Sequence, residues 1–146
     1  MRILILLAAL LSTNAIAAND DYTFGIYYLC CSEHGPMDSD ATNEVHNGLG
    51  LTLTLPESDS ITSKATFGIT SYTNSHDKQS IMISVSKEFW NIADEVHIGL
   101  GAGIASGYQD HLSVPAAAWV SARYKWVVVT HVPLAVTTLG FHIPFN

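Results

Sequence analysis

From residue 23 onward the chain alternates with a period of two, with large apolar side chains on one face and small ones on the other. Leu49, Leu51, Leu53 and Leu55 fall on one face of an extended segment, and Gly48, Gly50, Thr52 and Thr54 on the opposite face. Ala65, Phe67 and Ile69 repeat the pattern against Thr66, Gly68 and Thr70, as do Ile81, Ile83 and Val85 against Met82, Ser84 and Ser86. Neighbouring side chains of a strand point to opposite faces, so each series reads as a two-faced strand. The longest run, 96–105, places Val, Ile, Leu, Ala and Ile at even positions and His97, Gly99, Gly101, Gly103 and Ala105 at odd ones. A helix would use so much glycine poorly, so a strand is expected here too.

Polar or Gly/Asn/Asp turn chemistry separates these runs at 56–60, 74–78, 91–95 and 107–111. Eight strands are therefore expected, over 22–30, 45–55, 62–72, 79–88, 95–106, 112–123, 125–132 and 135–145. Pro115 and Pro133 should mark a bulge, an edge or a gap in the ladder.

Composition selects among eight-stranded folds. The 146 residues suffice for one domain, with 48% hydrophobic and only 13% charged, against roughly a quarter charged in ordinary soluble domains. Past residue 18 there is no run of eighteen apolar residues, so a spanning helix is not the explanation. The expected strand lengths suit bilayer-crossing strands, and Tyr22, Tyr27, Tyr28, Tyr72, Phe89, Trp90, Tyr108, Trp119, Tyr124, Trp126, Phe141 and Phe145 fall mainly near strand ends, as interfacial girdles do. The expected fold is all-β, an eight-stranded antiparallel up-and-down transmembrane β-barrel. A soluble sandwich competes, as does a soluble exported barrel that binds an apolar ligand. Such a barrel would need a polar outer face.

Residues 1–18 read as a signal peptide: Arg2 is the positive n-region, 3–11 the apolar h-region, and Ala15-Ile16-Ala17 a small-x-small cleavage site. Residues 19–146 then form a single barrel domain, in the outer membrane of a bacterial cell after export through the periplasm and insertion by the barrel-assembly machinery. Without Arg2, five basic residues, Lys64, Lys78, Lys87, Arg123 and Lys125, face thirteen acidic ones, which excludes nucleic acid as a partner. Cys30 and Cys31 are adjacent and close no loop; a vicinal bond, two thiols and a link to another chain all remain open.

The seven histidines and the cysteine pair form no metal motif, and neither a G-x-S-x-G elbow nor a phosphate loop is present. Polar groups do gather in three connections: Ser32-Glu33-His34, Asn74-Ser75-His76-Asp77 and Gln109-Asp110-His111. Odd-numbered hairpins turn at one end of an up-and-down barrel, so one rim collects a histidine, a serine and a carboxylate, the minimum for acyl transfer or hydrolysis.

The stretch 94–110, DEVHIGLGAGIASGYQD, followed by Pro115 and Val132-Pro133 and preceded by Asn47-Gly48-Leu49-Gly50-Leu51 and Thr73-Asn74-Ser75, resembles the lipid A palmitoyltransferase (PagP-like) family over about two thirds of the exported chain. That resemblance implies an acyltransferase moving a fatty acyl chain from a phospholipid to lipid A in the outer-membrane bilayer, without a soluble cofactor. It also implies a hydrocarbon chain held inside the barrel. His34 matches the family's histidine, and Asn74-Ser75 stands where the family has aspartate-serine; an amide replaces a carboxylate, and Asp77 is the nearest substitute. Gly99, Gly101 and Gly103 would keep an acyl slot open. The alternative is a non-enzymatic barrel that binds lipid or alters the cell surface.

Overall fold

The computed structural model describes residues 22–34, 47–59, 61–74, 76–93, 95–107 and 116–145. The expected signal peptide, Ser75 and the segment 108–115 with Pro115 lie outside the described residues. Eight strands follow in chain order: β1 Thr23–His34, β2 Gly48–Thr54, β3 Thr66–Thr73, β4 Gln79–Ala93, β5 Val96–Ala105, β6 Ala116–Tyr124, β7 Val127–Val132 and β8 Val136–Phe145. Each pairs antiparallel with its neighbour in sequence, and β8 returns to β1, so the sheet is a closed barrel without a free edge. This architecture is consistent with a small outer-membrane barrel.

The polarity of the two faces is inverted relative to a soluble domain. Among the described residues, twenty-three large hydrophobic side chains are exposed while the buried hydrophobic set is Leu29, Ala65, Tyr72 and Ala105. Leu49 is 61% exposed, Ile83 57% and Ile69 51%, and all three point away from the axis. So much apolar surface in water would associate; in hydrocarbon it is the matching surface. The outer face of a soluble ligand-binding barrel would be polar, and this one is not.

Strand staggering shows in β1, whose 23–29 portion pairs with β2 whereas its pairing with β8 continues up to His34. β4 behaves likewise at the other end: Thr66–Thr73 covers its first half, and β5 alone pairs with its continuation to Ala93. Such offsets are the shear that closure requires.

Both long strands overrun their expected ends, and each does so through a bulge. The β1–β8 ladder shifts between Leu29 and Cys31, and the β4–β5 ladder between Glu88 and Trp90, then again between Asn91 and Ala93. An extra residue in one strand breaks the alternation, so the segment 91–95, expected as a turn, instead continues β4 through Ala93. Left-handed backbone at Lys64, Asp77, Lys125 and Leu134 turns four of the connections, with Asp77 at φ 57° and Leu134 at φ 63°. Pro133 begins the β7–β8 turn, which Ala135 N closes by donating to Val132 O at 3.1 Å.

Candidate functional site

The lumen holds a cavity of about 750 Å³. Its lining divides along the barrel axis. Toward the end where odd-numbered hairpins turn, hereafter the loop rim, the lining is chiefly apolar: Leu29, Tyr72, Met82, Ala105, Ala117, Trp119, Val132 and Val136. Toward the opposite end it is Thr23, Thr54, Thr66, Ser86, Glu88, His97, Arg123 and His142. Ridges of small hydroxyl residues leave the polar half open enough for long charged side chains to meet across it.

Those charges are paired. Arg123 on β6 grips Glu88 on β4 with two hydrogen bonds, Nε to Oε1 at 2.5 Å and Nη2 to Oε2 at 2.8 Å. His97 Nδ1 lies 3.4 Å from Glu88 Oε2 and 2.6 Å from Asn91 Oδ1. His142 Nε2 and Thr52 Oγ1 are 2.8 Å apart. Tyr27, expected in a girdle, instead lies inside the lumen over the neighbouring strands β8 and β7, hydrogen-bonding Thr130 and Thr138 in space that Gly140 leaves by having no side chain, and Tyr72 and Trp119 line the lumen likewise. Alternation already places Glu88 and Arg123 on inward-facing positions, so two opposite charges on lumen faces were the signal that would have found this network.

His34 ends β1 at the loop rim. It is opposite Val136, and Ser32 is opposite Thr138; Val136 and Thr138 line the lumen, and directly opposed residues share a face. Below the bulge, however, the inward residues of β1 are odd-numbered, as Leu29 opposite Gly140 shows. The bulge at Cys30 therefore reverses the parity, turning Ser32 and His34 inward and leaving Cys31 opposite outward-facing Leu139. Without it the lumen would receive Glu33.

Asn74, at the top of β3, is fully buried. Its Nδ2 donates to Ser80 Oγ at 3.0 Å and to Gly107 O at 3.1 Å, and its Oδ1 accepts from the backbone N of His76 at 2.9 Å and of Lys78 at 3.0 Å. An amide meets all four demands, whereas a carboxylate cannot donate to Gly107 O. Position 74 thus ties the β3–β4 turn to the end of β5, and this accounts physically for asparagine there. Asp77 is exposed in the same turn, its N donating to Asn74 O at 3.0 Å. His34 and Asn74 share the loop rim but stand on strands separated by β2.

The three glycines of β5 face inward, but their space has occupants. A Cβ on Gly101 would sit 2.4 Å from Trp119 Cε2, and one on Gly103 3.1 Å from Trp119 Cη2. At Gly99 it would sit 2.6 Å from Lys87 O. Gly101 is directly opposite Trp119 in the ladder, so Gly101 and Gly103 admit the indole, and of the three only Gly103 borders the cavity. Among the described residues no three His, Cys, Asp or Glu side chains come together as a metal site. No protein-family model and no curated protein matches the chain.

Proposed function

We propose that the protein is an outer-membrane acyltransferase that draws one fatty acyl chain of a phospholipid into the apolar half of its lumen and transfers it to lipid A. The observation that carries this reading is the polarity step along the lumen, with its apolar half directly beneath the rim into which the bulge turns His34. The chain comes from bilayer hydrocarbon, so an apolar slot takes it in at little cost, whereas a wetted slot would cost about 0.8 kcal/mol per methylene, and the Glu88–Arg123 level below would oppose deeper entry. His34 would take the proton of a lipid A hydroxyl as that oxygen attacks the phospholipid ester carbonyl. The proton then passes to the departing lysophospholipid oxygen, giving acylated lipid A and lysophospholipid. Ser75 and Asp77 are the proposed positioning groups, and Gly103 borders the proposed acyl slot. The bilayer supplies both substrates; the barrel-assembly machinery is the proposed insertion partner.

Asn74 favours a second reading. All its hydrogen-bonding capacity is engaged in holding the turn, leaving no acidic partner at the family's aspartate position. A barrel that holds an acyl chain without transferring it would need no such partner.

Mass spectrometry of lipid A from cells with and without the protein distinguishes the two. Transfer adds one acyl chain to lipid A, and His34→Ala lowers the product by about 100-fold or more, with Ser75→Ala impaired as well. Unchanged lipid A in membranes containing the folded barrel defeats the transferase reading and leaves the lipid-binding one.

A further inference from the structure

The sulfurs of Cys30 and Cys31 lie 2.9 Å apart. In a regular strand that approach is excluded, because adjacent side chains leave opposite faces. Here the ladder passes from Leu29–Gly140 directly to Cys31–Leu139, so Cys30 is the unpaired extra residue of the bulge and its side chain is released from the alternation. Both cysteines are half-buried rather than enclosed. They also stand at the upper edge of the apolar belt: Tyr28 stacks on Phe141 just below, with ring centroids 6.4 Å apart, while outward Glu33 and Thr137 lie just above. A thiol reagent from the aqueous side can reach that level.

We propose that Cys30 and Cys31 form a reversible vicinal dithiol–disulfide site whose closure fixes the β1 bulge and thereby the inward aim of His34. The consequence for His34 rests on the acyltransferase reading; the thiol chemistry does not. The oxidant is a small-molecule disulfide such as oxidised glutathione. One cysteine thiolate attacks it, forming a mixed disulfide and expelling one thiol. The neighbouring thiolate then attacks the cysteine sulfur of that mixed disulfide, closing the Cys30–Cys31 bond and expelling the second thiol. Two electrons pass to the oxidant, and its two product thiols carry the two protons. Consecutive Cα atoms are only about 3.8 Å apart, shorter than disulfides prefer, so the closed form is readily reduced again. Labile disulfides of this kind suit a switch better than a staple.

The test uses the folded full chain in detergent micelles with oxidised glutathione as the probe. After denaturation, blocking with N-ethylmaleimide and trypsin digestion, the peptide ending at Lys64 is weighed. Closure gives a peptide two hydrogens lighter than the dithiol, carrying neither maleimide nor glutathione, and restored to double maleimide labelling by prior reduction. Cys30→Ser and Cys31→Ser should each retain one glutathione, because the resolving thiol is gone. Double maleimide labelling of the wild-type chain at every oxidant level, retained glutathione, or a cross-linked dimer overturns the proposal. Diethylpyrocarbonate modification of His34 tests the coupling: oxidation should slow it by roughly threefold or more by suppressing local opening, and equal rates overturn that part. Closure with lipid A unaffected by the protein would sink the acyltransferase reading while leaving the dithiol site intact.

Discussion

Replacing Asn74 separates its structural role from a catalytic one. In Asn74→Ala, Gly107 O and Ser80 Oγ lose their donor and two backbone N–H groups lose their acceptor; the Asn74–Ser80 bond is buried and the other three are half-buried. At about 1 kcal/mol net per bond, and more where a buried group is stranded, the loss is about 3–5 kcal/mol. Asn74→Asp, which restores the aspartate of the resembled family, keeps the two accepted bonds but sets a carboxylate against Gly107 O; the cost at neutral pH is about 2–4 kcal/mol. The expectation is that burial and that carbonyl outweigh the two backbone N–H bonds, which favour the carboxylate, and set the folded-state pKa of the new acid above its unfolded value. More protons are then bound in the folded state, so stability falls as pH rises between the two values and recovers on acidification. Urea unfolding of the barrel in lipid vesicles, followed by the fluorescence of Trp90, Trp119 and Trp126 at pH 4 and pH 7, reads all of this. An Asn74→Ala barrel within 1 kcal/mol of wild type, or an Asn74→Asp barrel as stable as wild type at pH 7, would refute the structural role.

The same assay checks three further expectations. Gly101→Ala should cost about 1–3 kcal/mol because its methyl meets the Trp119 ring, and far less in a Trp119→Ala background, giving a measurable coupling energy. Ile83→Arg, on the exposed outer face, should cost about 2–4 kcal/mol in a bilayer, whereas Ser84→Asn, one residue away and lining the lumen, should cost much less. Deleting Cys30 should be tolerated within about 1 kcal/mol, because beyond Leu29, among the described residues, β1 pairs only with residues 136–139 of β8 and the deletion makes that ladder regular. Deleting Gly101, where the pairing is regular on both sides, should abolish folding, since it swaps the faces of the remaining strand.

All eight strands were legible because the wall of a narrow closed barrel must alternate: every second side chain faces outward, where this wall is apolar, and the others must fit the lumen. The register between strands was not. Gly99, Gly101 and Gly103 read as an open slot because alternation says which face a residue occupies and nothing about its neighbour across the ladder. That neighbour at Gly101 is Trp119, eighteen residues later, and its indole takes the volume that Gly101 and Gly103 leave. Asn74 was equally opaque, because Gly107 lies thirty-three residues along the chain and only the closed barrel brings it within 3.1 Å.

The expected ends of β1 and β4, at residues 30 and 88, fall where the bulges begin. Alternation stops at a bulge although the strand does not, so a reading by period mistakes a change of phase for a turn. The phase changes have a common consequence at the two rims. On β1 the extra residue turns Ser32 and His34 inward; on β4 it turns Asn91 inward to meet His97 at 2.6 Å and sends Trp90 outward. Near a rim the outer face passes from hydrocarbon to headgroups while the lumen opens to water, so the demand on each face changes within a few residues. An unbroken alternation cannot follow that change, and one inserted residue can. At the β1 rim the inserted residue is a cysteine beside another cysteine, so the element that aims His34 is also one whose covalent state can change.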